Sequence, residues 1–141
     1  MRIALLSDIH GNIEALDAVL EDIHTNGGVD AYWLLVDLAT IGPAPVKVLE
    51  HVSQLPNTRF VRGNTDRYTC TGDRPPPTLE EVRINNDLFP QRIEMEGDFA
   101  WTQGALMATC WWNSITNPSS RPYSASGTRQ RIPSPGVCVG R

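Results

Sequence analysis

The amino-acid sequence predicts an α/β fold built on parallel strands, and three observations lead there. Short apolar runs alternate along the first half with segments whose apolar residues recur at helical spacing. Asparagine, glycine and proline stand where caps and turns are needed between them. Each apolar run leads into polar residues, as strands do at the ligand crevice of an open parallel sheet.

The elements follow in order. Arg2–Ser7 is a short apolar run bounded by polar residues, suited to a strand buried on both faces. Asn12 is placed to cap a helix. Beyond it Ile13, Leu16, Val19, Leu20 and Ile23 fall at helical spacing, with Glu14, Asp17, Glu21 and Asp22 on the other side. Asn26-Gly27-Gly28 stops that helix. Ala31–Val36, reading AYWLLV, is the second strand, with Trp33 and Leu34 expected in the core. Pro43 and Pro45 open a second helix that carries Val46, Leu49, His51 and Val52. Thr58–Arg62 is a third strand. Strands and helices in this alternation imply a parallel sheet with right-handed crossovers. After the stiff loop Arg74–Thr78, Thr78 and Glu81 have capping-box spacing, so a helix is expected from Leu79 to about Leu88. Phe99–Met107 is expected to form another helix, and Trp101, Trp111 and Trp112 to serve packing.

Composition bounds the rest. With 141 residues, 40% of them hydrophobic and 20% charged, the chain suits one ordinary soluble globular domain. With a formal net charge of −4, nothing overall suggests a nucleic-acid or anionic-membrane partner. No apolar run is long enough to span a bilayer. No cleavable leader is expected, because Asp8 interrupts the first apolar segment. Cys70, Cys110 and Cys138 are an odd number at wide spacing, which reads as inert free thiols in a reducing cytoplasm.

Charge is spread unevenly. Residues 1–112 carry −8 and residues 113–141 carry +4, with no acid beyond Asp98. Patterning collapses at the same point, where Ser, Pro, Arg and Gly take over. The expected organisation is a partial domain over residues 1–112 and a tail over residues 113–141. That tail is disordered, or the product of a reading-frame shift near Ala108–Asn113.

The strand ends carry the chemistry. Asp8-Ile9-His10 follows the first strand, Asp37 the second, and Gly63-Asn64-Thr65-Asp66 the third. Strand ends of an open parallel sheet meet in space. Asp8 and His10, two residues apart, are expected to leave a strand on the same side. Carboxylate, imidazole and amide oxygen form a mixed O/N donor set for a divalent metal. Asp37 has two oxygens and can bridge two ions, which at roughly 3.5–4 Å apart can clamp a phosphoryl group. His24 and His51 read as structural or solvated.

In SDIHGN (Ser7–Asn12), VDLATIGPAP (Val36–Pro45) and RGNTD (Arg62–Asp66), the chain resembles the calcineurin-like metallophosphoesterases. It is most similar to the small prokaryotic phosphodiesterases related to diadenosine tetraphosphate hydrolases. The likeness is firm over the first half, loose from Tyr68 to Trp112 and absent beyond. It implies a metallophosphoesterase-type β-sandwich flanked by helices, of which this chain holds an incomplete N-terminal βαβαβ half. It also implies phosphodiester or nucleotide hydrolysis by a metal-activated water at a dinuclear site. By the same resemblance Asp8 and His10 hold the first ion, Asp37 bridges, and Asn64 holds the second. Catalytic roles fall to Asp37, Asn64 and Asp66, the last orienting neighbours or a ligand. Arg62 or Arg67 would steady the phosphate. Manganese suits the donors, with iron, nickel and zinc also fitting.

The chain departs from the family in three respects. Val36 stands where the family has glycine before its bridging aspartate. Thr65 stands where many relatives have a proton-donating histidine. His10, His24 and His51 are the only histidines, so the family's later Gly-His-x-His ligands have no counterpart and the second site is incomplete. A non-catalytic metal-binding or interaction module, or an inactive remnant, is therefore the alternative. A flavodoxin-like domain explains the alternation of elements but neither His10 nor GNTD.

Overall fold

Strand β1 (Ile3–Ser7) pairs in parallel with β2 (Ala31–Leu35), and β2 with β3 (Thr58–Val61). The source is a computed structural model, which describes residues 1–107. The expected tail, Cys110, Cys138, Trp111 and Trp112 lie outside the described residues. Helix α1 (Ile13–Thr25) connects β1 to β2, and α2 (Pro45–Gln54) connects β2 to β3. Then come α3 (Asn64–Thr71), α4 (Leu79–Ile84), a single 3-10 turn over Asn86–Leu88, and α5 (Phe89–Met107).

Local chemistry sets the helix starts. Asn12 Oδ1 accepts the Ala15 N–H at 3.0 Å and caps α1. Pro45 opens α2 at a position where a missing N–H costs nothing. Thr78 and Glu81 form the expected box: the Glu81 N–H donates to Thr78 Oγ1 at 3.2 Å and the Thr78 N–H to Glu81 Oε2 at 2.6 Å.

Strand order equals chain order, β1-β2-β3. Two right-handed crossovers stepping the same way put α1 and α2 on one side of the sheet. They touch, and His51 Nδ1 lies 2.8 Å from Asp17 Oδ1 between them. The core is on that side: Leu34, Leu16, Val48, Leu49 and Val52, joined by Leu38, Ala39 and Leu106. Among the described residues the other face of the sheet stays exposed. Leu5 and Trp33 are paired in register and are 61% and 38% exposed, and Val61 is 53% exposed. The expectation that Arg2–Ser7 is buried on both faces, and that Trp33 lies in the core, is therefore corrected, whereas Leu34 is core as expected. One-way strand order supplies helices to one face only.

The later helices also depart from expectation. Helix α5 starts at Phe89 rather than Phe99. Helix α4 stops at Ile84, because Asn85 is extended with φ −131. Trp101 is 52% exposed rather than packed. An ionic cluster fastens α5 to the loop before α4. Arg92 Nη1 donates to the Pro77 carbonyl at 2.9 Å, Arg92 Nη2 pairs with Glu96 Oε1, and Arg74 Nε donates to Glu96 Oε2 at 2.8 Å. Burial pushes the Glu96 carboxyl up, but the two guanidiniums outweigh it and hold the group below its ordinary range.

Candidate metal centre

Asp8 and His10 converge for a different reason from the one strand alternation offers. Strand β1 ends at Ser7. Beyond it the backbone turns left-handed at Asp8 (φ 55), His10 (φ 48) and Gly11 (φ 65). After β2 the same happens at Val36 (φ 59) and Asp37 (φ 51). Aspartate tolerates this region, whereas a β-branched residue such as Val36 is an outlier there. A glycine at that position would carry no such strain.

Backbone bonds lock these turns together. The His10 N–H donates to the Asp37 carbonyl at 2.9 Å, and the Gly11 N–H to the Leu38 carbonyl at 2.9 Å. The Val36 N–H donates to the Val61 carbonyl at 2.9 Å. Contact is close enough that a Cβ built on Gly42 would overlap the His10 carbonyl oxygen. One built on Gly63 would overlap Asp37 Oδ1 and the Asp37 nitrogen.

The result is a cluster in which one ligand atom each from Asp8, His10 and Asp37 lies within 4.8 Å of the others. His10 Nδ1 is 2.9 Å from the Thr40 carbonyl oxygen. A carbonyl only accepts, so Nδ1 carries the proton and Nε2 of the neutral ring keeps its lone pair. Nε2 lies 3.8 Å from Asp8 Oδ1. The Ser7 hydroxyl donates to Asp8 Oδ2. Among the described residues no lysine or arginine pairs with Asp8 or Asp37. Two carboxylates and an imidazole nitrogen, with no protein cation beside them, fit a divalent ion by donor chemistry.

Asp37 is 7% exposed. Its Oδ1 accepts from the Thr65 N–H at 2.9 Å and from the Thr65 hydroxyl at 2.7 Å. Asp66, also buried, stands outside the three-residue cluster. Its Oδ1 accepts the Leu38 N–H at 2.9 Å and its Oδ2 the Gly63 N–H at 3.1 Å. It thereby clamps the loop after β2 to the loop after β3. Asn64 is exposed at the first turn of α3, between Gly63 and Thr65, the two residues that abut Asp37. Arg67 Nη1 binds Asp73 Oδ2 at 3.0 Å, and its guanidinium lies 4.5 Å over the Tyr68 ring. Arg62 is exposed and has no ion-pair or hydrogen-bond partner among the described residues. Burial pushes the Cys70 thiol up to about 11, against a pull from Arg62 and with a push from Asp66, which fits an inert thiol.

Sequence reasoning missed Thr40 and the two hydrogen bonds that Thr65 gives to Asp37. Thr40 acts through its main-chain carbonyl, for which any residue type would serve.

The family model described as calcineurin-like phosphoesterase matches residues 1–122. The symmetrical bis(5'-nucleosyl)-tetraphosphatases of Yersinia pestis (strain Pestoides F) and Yersinia pseudotuberculosis serotype O:3 (strain YPIII) are 40% identical over 65 residues. That stretch is 45% of this chain and 22% of each of theirs. A crystal structure of a metallophosphoesterase from Sphaerobacter thermophilus aligns with a TM-score of 0.57 at 29% identity, over 83% of this chain and 41% of that one. The chain thus spans less than half the length of the relatives it matches.

Proposed function

The chain belongs to the calcineurin-like phosphoesterase family, and from that premise we propose that it forms the metal-binding part of a phosphoester hydrolase. The observation that carries this reading is the convergence of Asp8, His10 and Asp37 within 4.8 Å. Asp8, His10 through Nε2, and Asp37 would hold a first divalent ion, and Asp37 with Asn64 a second. Manganese is the ion we favour, with iron, nickel and zinc suiting the same donors. Such an ion supplies Lewis acidity toward a phosphoryl oxygen and lowers the pKa of a water.

The chain's own residues supply the rest. Thr40 holds the His10 proton on Nδ1 and so keeps Nε2 available. Asp66 fixes the Leu38 and Gly63 amides and through them the two loops that carry Asp37 and Asn64. Arg62 is free to meet a phosphate, whereas Arg67 is engaged by Asp73. The Yersinia relatives are named for bis(5'-nucleosyl) tetraphosphates, and a nucleotide or other phosphodiester is the substrate class we propose. A cytoplasmic setting accords with the free thiol of Cys70.

A second reading, metal binding without turnover, is favoured by Thr65. Its hydroxyl is committed to Asp37 and is not available to protonate a leaving group. One experiment separates the two. Hydrolysis of bis(p-nitrophenyl) phosphate is measured with manganese for the full chain and for Asp37→Asn, alongside manganese binding by calorimetry. Turnover lost in the variant is the expected result. Binding without turnover would select the second reading, and an absence of binding would overturn both.

A further inference from the structure

The buried threonines beside the cluster form a connected set. Thr40 is fully buried, Thr69 is 2% exposed and Thr65 is 8% exposed. Thr40 Oγ1 and Thr69 Oγ1 are 2.6 Å apart, either being a possible donor. Thr69 Oγ1 lies 3.0 Å from the Thr65 carbonyl oxygen and Thr40 Oγ1 lies 3.4 Å from it. Each hydroxyl has one hydrogen. The assignment that uses the two short distances has Thr69 donating to the Thr65 carbonyl and Thr40 donating to Thr69. The Thr40 carbonyl in turn receives the His10 ring proton. The Thr65 N–H and hydroxyl both end on Asp37 Oδ1. One chain of hydrogen bonds therefore runs from His10 through Thr40, Thr69 and Thr65 to Asp37.

We infer that Thr65 is a positioning residue for cation binding: its two donors fix Asp37 Oδ1 and leave Oδ2 as the oxygen through which Asp37 meets either ion, so that any bridging falls to Oδ2 rather than to the two oxygens together. Oδ2 accepts no hydrogen bond among the described residues. A free carboxylate rotates and must lose that freedom when it takes up a cation. Asp37 has lost it beforehand, because two donors on one oxygen set the carboxylate plane. Hydrogen bonds of this kind, made to a ligand rather than to the ion, typically change metal affinity 10- to 100-fold, by the general rule for outer-shell partners. The Thr65 hydroxyl hydrogen is directed at Asp37, which separates this role from proton donation to a leaving group.

This inference rests on the metal-binding reading, and the test keeps the two failures apart. Manganese binding is measured by loss of the free-ion electron paramagnetic resonance signal for the unmodified chain, Thr65→Val and Thr65→Ser. Urea midpoints are taken without metal. Valine keeps the N–H and the shape but removes the hydroxyl, while serine keeps both donors. Affinity is expected to fall at least roughly tenfold in Thr65→Val and to return in Thr65→Ser. Unchanged affinity in Thr65→Val, or equal loss in both variants, would overturn the inference while leaving the metal site standing. An unmodified chain that binds no manganese would overturn the site and the inference with it. A second measurement needs no variant. On titration with zinc, the Thr65 amide resonance is expected to shift together with those of Asp8 and His10, and a stationary Thr65 amide beside moving ligands would refute the proposal.

Discussion

Replacing Val36 should give an inverted order of stability. At almost any position glycine is less stable than alanine, by about 0.5–1 kcal/mol, because it loses more backbone freedom on folding. Val36 has φ 59 and is pinned there: its N–H is held by the Val61 carbonyl at 2.9 Å, and the next residue's carbonyl is held by the His10 N–H at 2.9 Å. A residue with a Cβ loses about 1–2 kcal/mol in the left-handed region, and glycine escapes that loss. Comparing Val36→Gly with Val36→Ala removes the half-buried isopropyl group from both arms, so the backbone term remains. Subtracting the midpoint of the entropic cost from the midpoint of the steric one leaves Val36→Gly more stable than Val36→Ala by about 0.75 kcal/mol. For a domain of this size that is a difference of about 3–6 °C in Tm. Equilibrium urea denaturation and a thermal melt of both variants would measure it. An alanine chain as stable as the glycine chain, or more so, would refute the argument that backbone strain is stored at this position.

Two further predictions follow from buried groups. Asp66→Ala strands the Leu38 and Gly63 amides, each now bonded to a buried carboxylate. At about 1.5–3 kcal/mol for each of the two charge-assisted bonds, the loss should be about 3–6 kcal/mol in urea denaturation, with Asp66→Asn between that and the unmodified chain; a loss below about 1 kcal/mol would show that Asp66 clamps nothing. Cys70 should react slowly with iodoacetamide in a Cys110→Ser, Cys138→Ser chain, its rate climbing with pH toward about 11. Because the folded thiol titrates above its ordinary value of 9.0, its contribution to stability is full below that pH and lost as pH rises toward about 11. A labelling plateau at the ordinary value would contradict the burial of this thiol.

Parts of the fold were legible for physical reasons that can be named. Strands β1 to β3 and helices α1 and α2 announce themselves because their apolar residues repeat at the spacing that buries them. The open face of the sheet does not, since AYWLLV reads alike whether one side or both are covered. Strand order decides that, and order is a property of the whole chain. Helix α3 was missed because it opens on Gly63, Asn64, Thr65 and Asp66, all residues of turns, and buries threonines rather than leucines. Helix α5 hid its first half because the residues it buries are Arg92, Phe99, Thr102 and Leu106, so a charged side chain occupies the apolar stripe. At the site, Asp8, His10 and Asp37 were visible as residue types that bind cations. What holds them was not, because the carbonyl at Thr40 and the amide at Thr65 belong to every residue alike, and the Thr65 hydroxyl meets Asp37 only once the loops after β2 and β3 are folded together.

The crossing of the loops sets which residues can drift. Asn64 is exposed, and exchanging its side chain costs folding little, whereas Asp8, also exposed, sits at φ 55, where only aspartate, asparagine and glycine are readily tolerated. Gly42 and Gly63 are different, since a methyl group on either would collide with a neighbouring loop, at the His10 carbonyl or at Asp37. A lineage that abandons hydrolysis can thus shed its ligands one at a time while these glycines stay. Among distant descendants the glycines should outlast the chemistry. A sequence that keeps them without the acids would then be a folded heir that has lost its ion. One that keeps the acids without them would owe its likeness to chance.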